Sequence, residues 1–311
     1  MRKVNPSLSA FLRECNEVLL ARSAKGFPFS VIDSREKTEM LIQEFVTDIP
    51  DIDCVMDAEI YTAGYNVPVR IFNPNPGQTL PVLVYFHGGG HMAGSVKAYD
   101  PICRKMAINT QHIVVAGEYR LAPENLYPAN IEDACAVVRG IWATLDRQNV
   151  DYRKTLSVAG DSAGGSLSAS VSHLAQFDRG IDIEKQILIY PCVDYVARYE
   201  SYNENGVGYL LEADMCTWFF DKYFREGQCR KAASPLHMDF TANLPQTLVI
   251  TAEFCPLRDE GKIYYEKVKS LGIHAENVHF EDAIHGFLNI EDLVRETCMK
   301  AYSSINRFLN G

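Results

Sequence analysis

From residue 80 onward the chain alternates short apolar runs with segments of helical length, and this alternation constrains the fold more than any other feature. The run Val82-Leu83-Val84-Tyr85-Phe86 is too short for a helix and leads into glycines, so it reads as a buried strand. Similar runs sit at 112–116, 155–159, 186–190, 247–251 and 276–280. Between most of them lie helix-length segments at 98–109, 130–147, 163–176 and 258–271, with another at 291–309. Such a pattern predicts an α/β chain with a mostly parallel central sheet and helices on both faces. Upstream, residues 7–21 place Leu8, Phe11, Leu12, Cys15, Val18 and Leu19 at helical spacing. Strand-like runs follow at 55–61 and 67–72, closed by the turn cluster Asn73-Pro74-Asn75-Pro76-Gly77. The alternation is heavily decorated at 192–245, a stretch rich in Tyr, Phe and Trp. An insertion there can fold over the carboxyl ends of the strands, where open α/β sheets bind ligands.

Composition narrows the partners. Thirty Lys and Arg against 40 Asp and Glu give a formal charge of −10, which argues against nucleic acid or an anionic membrane surface. No apolar run approaches the roughly 18 residues that span a bilayer. Arg13, Glu14 and Glu17 interrupt any apolar signal core after Arg2 and Lys3. The nine cysteines are odd in number and contain no CxxC pair, so neither a zinc cluster nor a disulfide framework is indicated. Free thiols in a reduced cytoplasm are the expectation. Cys255 excepted, the other eight read as buried small apolar residues.

Three short motifs carry chemistry. Gly160-Asp161-Ser162-Ala163-Gly164 follows the strand at 155–159 and precedes a helix-compatible segment. A nucleophilic Ser on so tight a turn needs small neighbours, and the following helix aims its amides where negative charge develops. GxSxG alone also describes a glycine-rich turn without chemistry. His87-Gly88-Gly89-Gly90 ends an earlier strand, and its consecutive glycines let backbone N–H groups face an oxyanion. A Walker loop does not fit, because no Gly-Lys-Ser/Thr follows, and the glycines do not match GxGxxG. Asp282-Ala283-Ile284-His285-Gly286-Phe287 comes just after the last strand and offers His285 as general base. Glycine loop, Ser and His then follow the chain order of an α/β-hydrolase.

The sequence resembles the hormone-sensitive-lipase-like family of bacterial α/β-hydrolase esterases. The matching stretches are VLVYFHGGG, EYRLAPENLYPA, VAGDSAGGSL, LIYPCVDY, NENGVGYLLEADMCTWFFDKYF, LVITAEFCPLRDEG and IHGF, in order from about residue 60 to 290. The resemblance implies an α/β-hydrolase fold in one domain over 1–311, with a helical cap from about 1–45 and 194–225. It implies Ser162 as nucleophile, His285 as base, and Gly89, Gly90 and Ala163 as oxyanion donors, with His87 and Gly88 supporting the loop. The expected activity is hydrolysis of short-chain acyl esters through an acyl-enzyme, with no cofactor and no metal. The expected partner is a small-molecule ester, with a homodimer left open.

Two departures stand out. The family reads Asp-Pro-Leu after its seventh strand, and that Asp is the triad acid; this chain reads Cys255-Pro256-Leu257. A neutral thiol is a weak acceptor and cannot stabilise an imidazolium as a carboxylate does, so activity can be reduced. Asp282, three residues before His285, is the alternative acid; Glu253, Asp259 and Glu260 match carboxylates the family has besides its acid and read as structural. The second departure is His91, where the family usually has a large aromatic or apolar residue. It reads either as pocket lining or as a solvated loop His. Tyr195, Tyr199, Tyr202, Tyr209, Trp218, Phe219, Tyr223 and Phe224 could wall the acyl pocket, most of them serving as cap core. The rival function is a non-catalytic small-ligand-binding member of the same fold, as in the plant gibberellin receptor, where a defective triad accompanies a cap that closes on its ligand.

Overall fold

The computed structural model describes every residue except Met1, Phe27 and Pro28, which lie inside the expected cap segment 1–45. Period-two alternation in the central strands decides the layers. In β3 (Leu80–Phe86), Val82, Val84 and Phe86 pack on one face while Leu83 and Tyr85 pack on the other. β4 (Ile113–Gly117) splits the same way, Ile113 and Val115 against Val114 and Ala116. With apolar groups on both faces these strands must be covered twice.

The eight strands pair in the order β1-β2-β4-β3-β5-β6-β7-β8. β1 (Cys54–Ile60) and β2 (Val67–Asn73) are antiparallel to their neighbours, and β3 to β8 run parallel. The remaining strands are β5 (Tyr152–Asp161), β6 (Lys185–Ile189), β7 (Gln246–Phe254) and β8 (Ala275–Ile284).

Helices α1 (Ser9–Ala24), α2 (Val31–Phe45) and α3 (Asp100–Thr110) lead on one side, and α10 (Arg295–Asn310) closes that face. Their buried residues, among them Leu12, Ile42, Met106 and Ile305, share a core with Leu83, Tyr85 and Ile250. α4 (Ala129–Arg147) and α5 (Ala163–Ala175) bury Val138, Ile141, Leu167 and Val171 against Val82, Val84 and Phe86 on the other. α9 (Arg258–Ser270) extends that layer with Tyr264 and Val268 against Leu188 and Val249. The insertion after β6 holds α6 (Glu200–Asn205), α7 (Ala213–Tyr223) and α8 (Arg230–Ala233). Among the described residues, no helix is long and apolar enough to cross a membrane.

β3 lies between β4 and β5, so successive connections from β3 leave in opposite directions along the sheet. That reversal opens a crevice at the carboxyl ends of β3 and β5, the usual ligand position in such sheets. The segment after β8, a 3₁₀ stretch at Phe287–Leu293, is anchored from below by the buried pair Lys105 Nζ–Glu291 Oε1 at 2.8 Å. Lys105→Met leaves Glu291 buried without its cation and is expected to cost about 3–5 kcal/mol. Chemical denaturation checks this; an unchanged midpoint would show that the pair does not hold the segment.

Candidate functional site

Four strand ends supply the site. β5 ends at Asp161, and Ser162 follows with φ 54° and ψ −115°, a left-handed conformation that a non-glycine residue rarely adopts. The turn is held by Ser162 N–H donating to the Ile189 carbonyl at 2.8 Å and by Ser166 N–H donating to the Ser162 carbonyl at 3.1 Å. His285, after β8, places Nε2 2.9 Å from Ser162 Oγ. Its Nδ1 lies 3.1 Å from Cys255 Sγ at the end of β7, and Sγ also accepts the Leu257 N–H at 3.3 Å. Ser162, His285 and Cys255 are therefore joined in one hydrogen-bonded chain.

Asp282 lies elsewhere. Its Oδ2 accepts from Asn5 Nδ2 at 3.0 Å and its carbonyl from Asn5 N–H at 2.9 Å, which ties the carboxylate to the N-terminal segment. Glu253 pairs with Arg2, Arg258 and His279. Asp259 accepts from Ser201 N–H, and Glu260 from Val193 and Asp194 N–H. These groups bind the insertion and the N-terminus to β7 and α9.

Burial keeps the His–Cys pair neutral. It pushes His285 down to about 3 and raises the Cys255 thiol well above its usual range. A carboxylate can only accept, so it would hold the ring proton on Nδ1 and leave Nε2 free for the Ser162 proton. A thiol also donates. When S–H points at Nδ1, the ring proton sits on Nε2, in the tautomer unable to act as base.

The glycine loop lies beside this chain. Gly89 and Gly90 have φ +116° and +62°; a Cβ on Gly89 would meet the Ala93 carbonyl oxygen at 2.1 Å. Gly88 N–H donates to Asp161 Oδ1 at 2.8 Å, and that carboxylate also accepts from Tyr85 and Tyr99 hydroxyls at 2.9 and 3.1 Å. Burial raises Asp161 to about 6, against the pull of those hydrogen bonds. His87, stacked on Tyr119 at 4.4 Å and pushed down to about 4 by burial, turns Nδ1 onto the Gly88 carbonyl at 2.8 Å.

Gly89, Gly90, Ser162, Ala163 and His285 all open into one cavity of about 460 Å³. Its walls come from α1 and α2 (Phe11, Leu19, Leu41, Phe45) and from the insertion (Leu211, Met215, Phe219, Phe220). Of the eight insertion aromatics weighed as pocket walls, most of them expected as cap core, Phe219 is the one that lines this cavity, whereas Tyr195, Tyr202, Tyr223 and Phe224 are buried core. Periodicity over 7–21 found α1, but α2 was legible only through Ser30, whose side chain caps the helix at Asp33 N–H. His91 is not a solvated loop residue: it is 1% exposed, because Tyr223 stacks on it at 4.1 Å. Nor are all eight remaining cysteines buried. Cys229, just before α8, is exposed, Cys15 is half-buried where it lines the cavity, and Cys54 is half-buried at the start of β1.

A family model described as an alpha/beta hydrolase fold matches residues 83–289, more than half of the chain. The chain belongs to this alpha/beta hydrolase family. Carboxylesterase NlhH of Mycobacterium tuberculosis is 32% identical over 272 residues, 84% of each chain. Ethyl acetate hydrolase of Pseudomonas putida is 29% identical over 304 residues, 94% of each. A solved esterase of Pyrobaculum calidifontis matches with a TM-score of 0.85 at 34% identity, covering 98% of each chain. Within the alpha/beta hydrolases, the chain falls among the carboxylesterases.

Two outcomes are expected from this geometry. Gly89→Ala must displace the Ala93 carbonyl or the loop itself, and kcat should fall by at least about 10²-fold while KM changes less. Steady-state kinetics on folded variant checks it, and an unchanged kcat would remove the loop from catalysis. Because burial holds His285 neutral down to about 3, kcat/KM should stay level from about pH 8 to about 5, with its acid limb well below the ordinary imidazole value of about 6.5. An acid limb centred above about 6.5 would mean that negative charge supports the ring.

Proposed function

We propose that the protein hydrolyses short-chain acyl esters with Ser162 as nucleophile and His285 as general base. The reading is carried by the 2.9 Å contact between Ser162 Oγ and His285 Nε2 at the floor of the cavity. The names of the relatives, a carboxylesterase and an ethyl acetate hydrolase, support the same substrate class.

In the first half-reaction Oγ bonds to the ester carbonyl carbon and its proton passes to Nε2. The carbonyl oxygen becomes an oxyanion received by the N–H groups of Gly89, Gly90 and Ala163. Collapse expels the alkoxide, which takes the proton from His285, and leaves an acyl-serine. Water then repeats the sequence with His285 as base and releases the carboxylic acid. Residues 1–45 and 194–225 serve as the cap of a single catalytic domain. Cys255 occupies the acid position without a carboxylate's charge. A purely ligand-binding role fits less well, because nucleophile and base remain in hydrogen-bond contact.

A serine-directed phosphonate should label Ser162, Ser162→Ala should abolish turnover, and nitrophenyl acetate should be cleaved faster than long-chain esters. Labelling at another residue, or none, would sink the reading.

Cys255→Asp is expected to raise kcat/KM by tens of fold, since the carboxylate fixes the tautomer and stabilises the imidazolium; the ceiling is about 10⁴-fold. It should also move the acid limb of the pH profile upward, because an anion beside Nδ1 favours the charged ring. Cys255→Ala and Asp282→Asn should change activity little. A large loss in Asp282→Asn with no gain in Cys255→Asp would instead assign the acid to Asp282.

A further inference from the structure

His91 follows directly on the glycine loop and takes no part in the chemistry above, yet it is among the most tightly held side chains in the molecule. Its backbone has φ +63°, uncommon for a residue with a side chain. Both ring nitrogens are engaged: Nδ1 lies 3.0 Å from Asn130 Nδ2 and Nε2 lies 2.9 Å from the Tyr195 hydroxyl. The Tyr223 hydroxyl donates to Asn130 Oδ1 at 2.7 Å, which leaves the Asn130 amide N–H to donate to Nδ1. In the neutral ring the proton then sits on Nε2 and is given to Tyr195, whose own O–H passes to Ser166 Oγ. Ser166 is one turn along α5 from Ser162. Burial, which pushes His91 down to about 3, keeps the ring neutral.

The same loop is gripped from above by α7. The Tyr223 ring stacks on His91 with 10° between planes, and the Phe219 ring packs so close on Gly90 that a Cβ there would lie 2.8 Å from it. Phe219 and Tyr223 are four residues apart, on one face of the helix.

We propose that His91 is a positioning residue that ties the oxyanion loop to α5 and to α7, so that the Gly89 and Gly90 amides stay aimed at the reacting carbonyl while α7 is seated. This rests on the reading of Ser162 as nucleophile and of these amides as its oxyanion donors. A large apolar residue at position 91 would fill the space but could not bridge Asn130 to Tyr195. The imidazole does both: its face carries the contact with Tyr223, and its edge carries two hydrogen bonds in different directions.

The test uses His91→Phe, which keeps a ring against Tyr223 and removes both nitrogens. Expected is a fall in kcat of about tenfold to a hundredfold, the size of an ångström-scale misplacement of a catalytic group, with KM within a few fold. Phenylboronic acid supplies the readout that a merely structural role would not move. It bonds to Ser162 Oγ with no leaving group, the Ser proton going to His285, and sets a boron oxygen where the oxyanion forms. Its inhibition constant should weaken by the same factor as kcat. Tyr195→Phe, which deletes one hydroxyl from the link, should lower kcat about threefold to tenfold. The double variant should be no slower than His91→Phe within about twofold, because both cut one connection.

Wild-type kcat and boronate inhibition in folded His91→Phe, or a loss confined to KM, would overturn the proposal. If His91→Phe does not fold, wild-type kcat in Tyr195→Phe overturns it, and the expected loss there supports it. In either case ester turnover by the wild type leaves the esterase reading standing. A wild type that neither cleaves esters nor binds the boronate removes that reading, and this role for His91 with it.

Discussion

Gly164 has no room for a side chain: a Cβ there would lie 1.9 Å from the Phe86 carbonyl oxygen, and one on Gly160 would lie 2.3 Å from Gly164. The backbone of α5 thus touches the end of β3 directly, and the site depends on that contact. Pairing of Phe86 with Gly160 in the parallel sheet brings the two strand ends level. The chain leaves β3 as the glycine loop and leaves β5 as Ser162, so the loop amides and the Ser162 hydroxyl are neighbours whatever the other side chains do. Asp161 then closes the joint from below, with one carboxylate oxygen accepting both Gly88 N–H and the Tyr85 hydroxyl. The strained φ of Ser162 is tolerated because its own amide and the turn of α5 are both hydrogen-bonded.

The electrostatics follow from burial. Burial away from solvent penalises a charge, and here His285 and Cys255 both respond by staying neutral. Asp161 is the buried carboxyl of the centre, and it is surrounded by donors from Tyr85, Tyr99 and Gly88. With Cys255 the chain avoids burying a second carboxylate behind His285. On the proposed mechanism, an imidazolium formed during attack has no anion against its Nδ1. Stabilisation of the transition state, on that mechanism, shifts toward the oxyanion side, where the geometry of the glycine loop counts for more.

The layered fold was legible because β3, β4, β6 and β7 centre on short apolar runs, and Val82, Leu83, Val84, Tyr85 and Phe86 point alternately into two covered faces. Ser162, His285 and the glycine loop stood out as candidates because their motifs set small or special residues at strand ends. The cavity walls were not. Leu41, Phe45, Leu211 and Met215 reach one space from separate elements, and no local pattern distinguishes them from core. His91 was equivocal for the same reason: its partners Asn130 and Tyr195 stand 39 and 104 residues away. Cys255 announced itself by replacing a carboxylate, but that its thiol faces Nδ1 required coordinates, as did the turning of Asp282 toward Asn5.

One helix serves two purposes in this arrangement. α7 gives Met215, Cys216, Phe219 and Phe220 to the cavity wall and sets Phe219 and Tyr223 on the loop that carries the amides. Contacts with a ligand in the cavity therefore bear on the same element that packs against the glycine loop. Binding energy from such contacts raises kcat only when it is realised in the transition state. A shared brace is a physical route to that, because a ligand that seats α7 favours the loop geometry needed once charge appears on the carbonyl oxygen. On the proposed mechanism, with no carboxylate at position 255, such coupling would be one further lever the fold holds on the reaction.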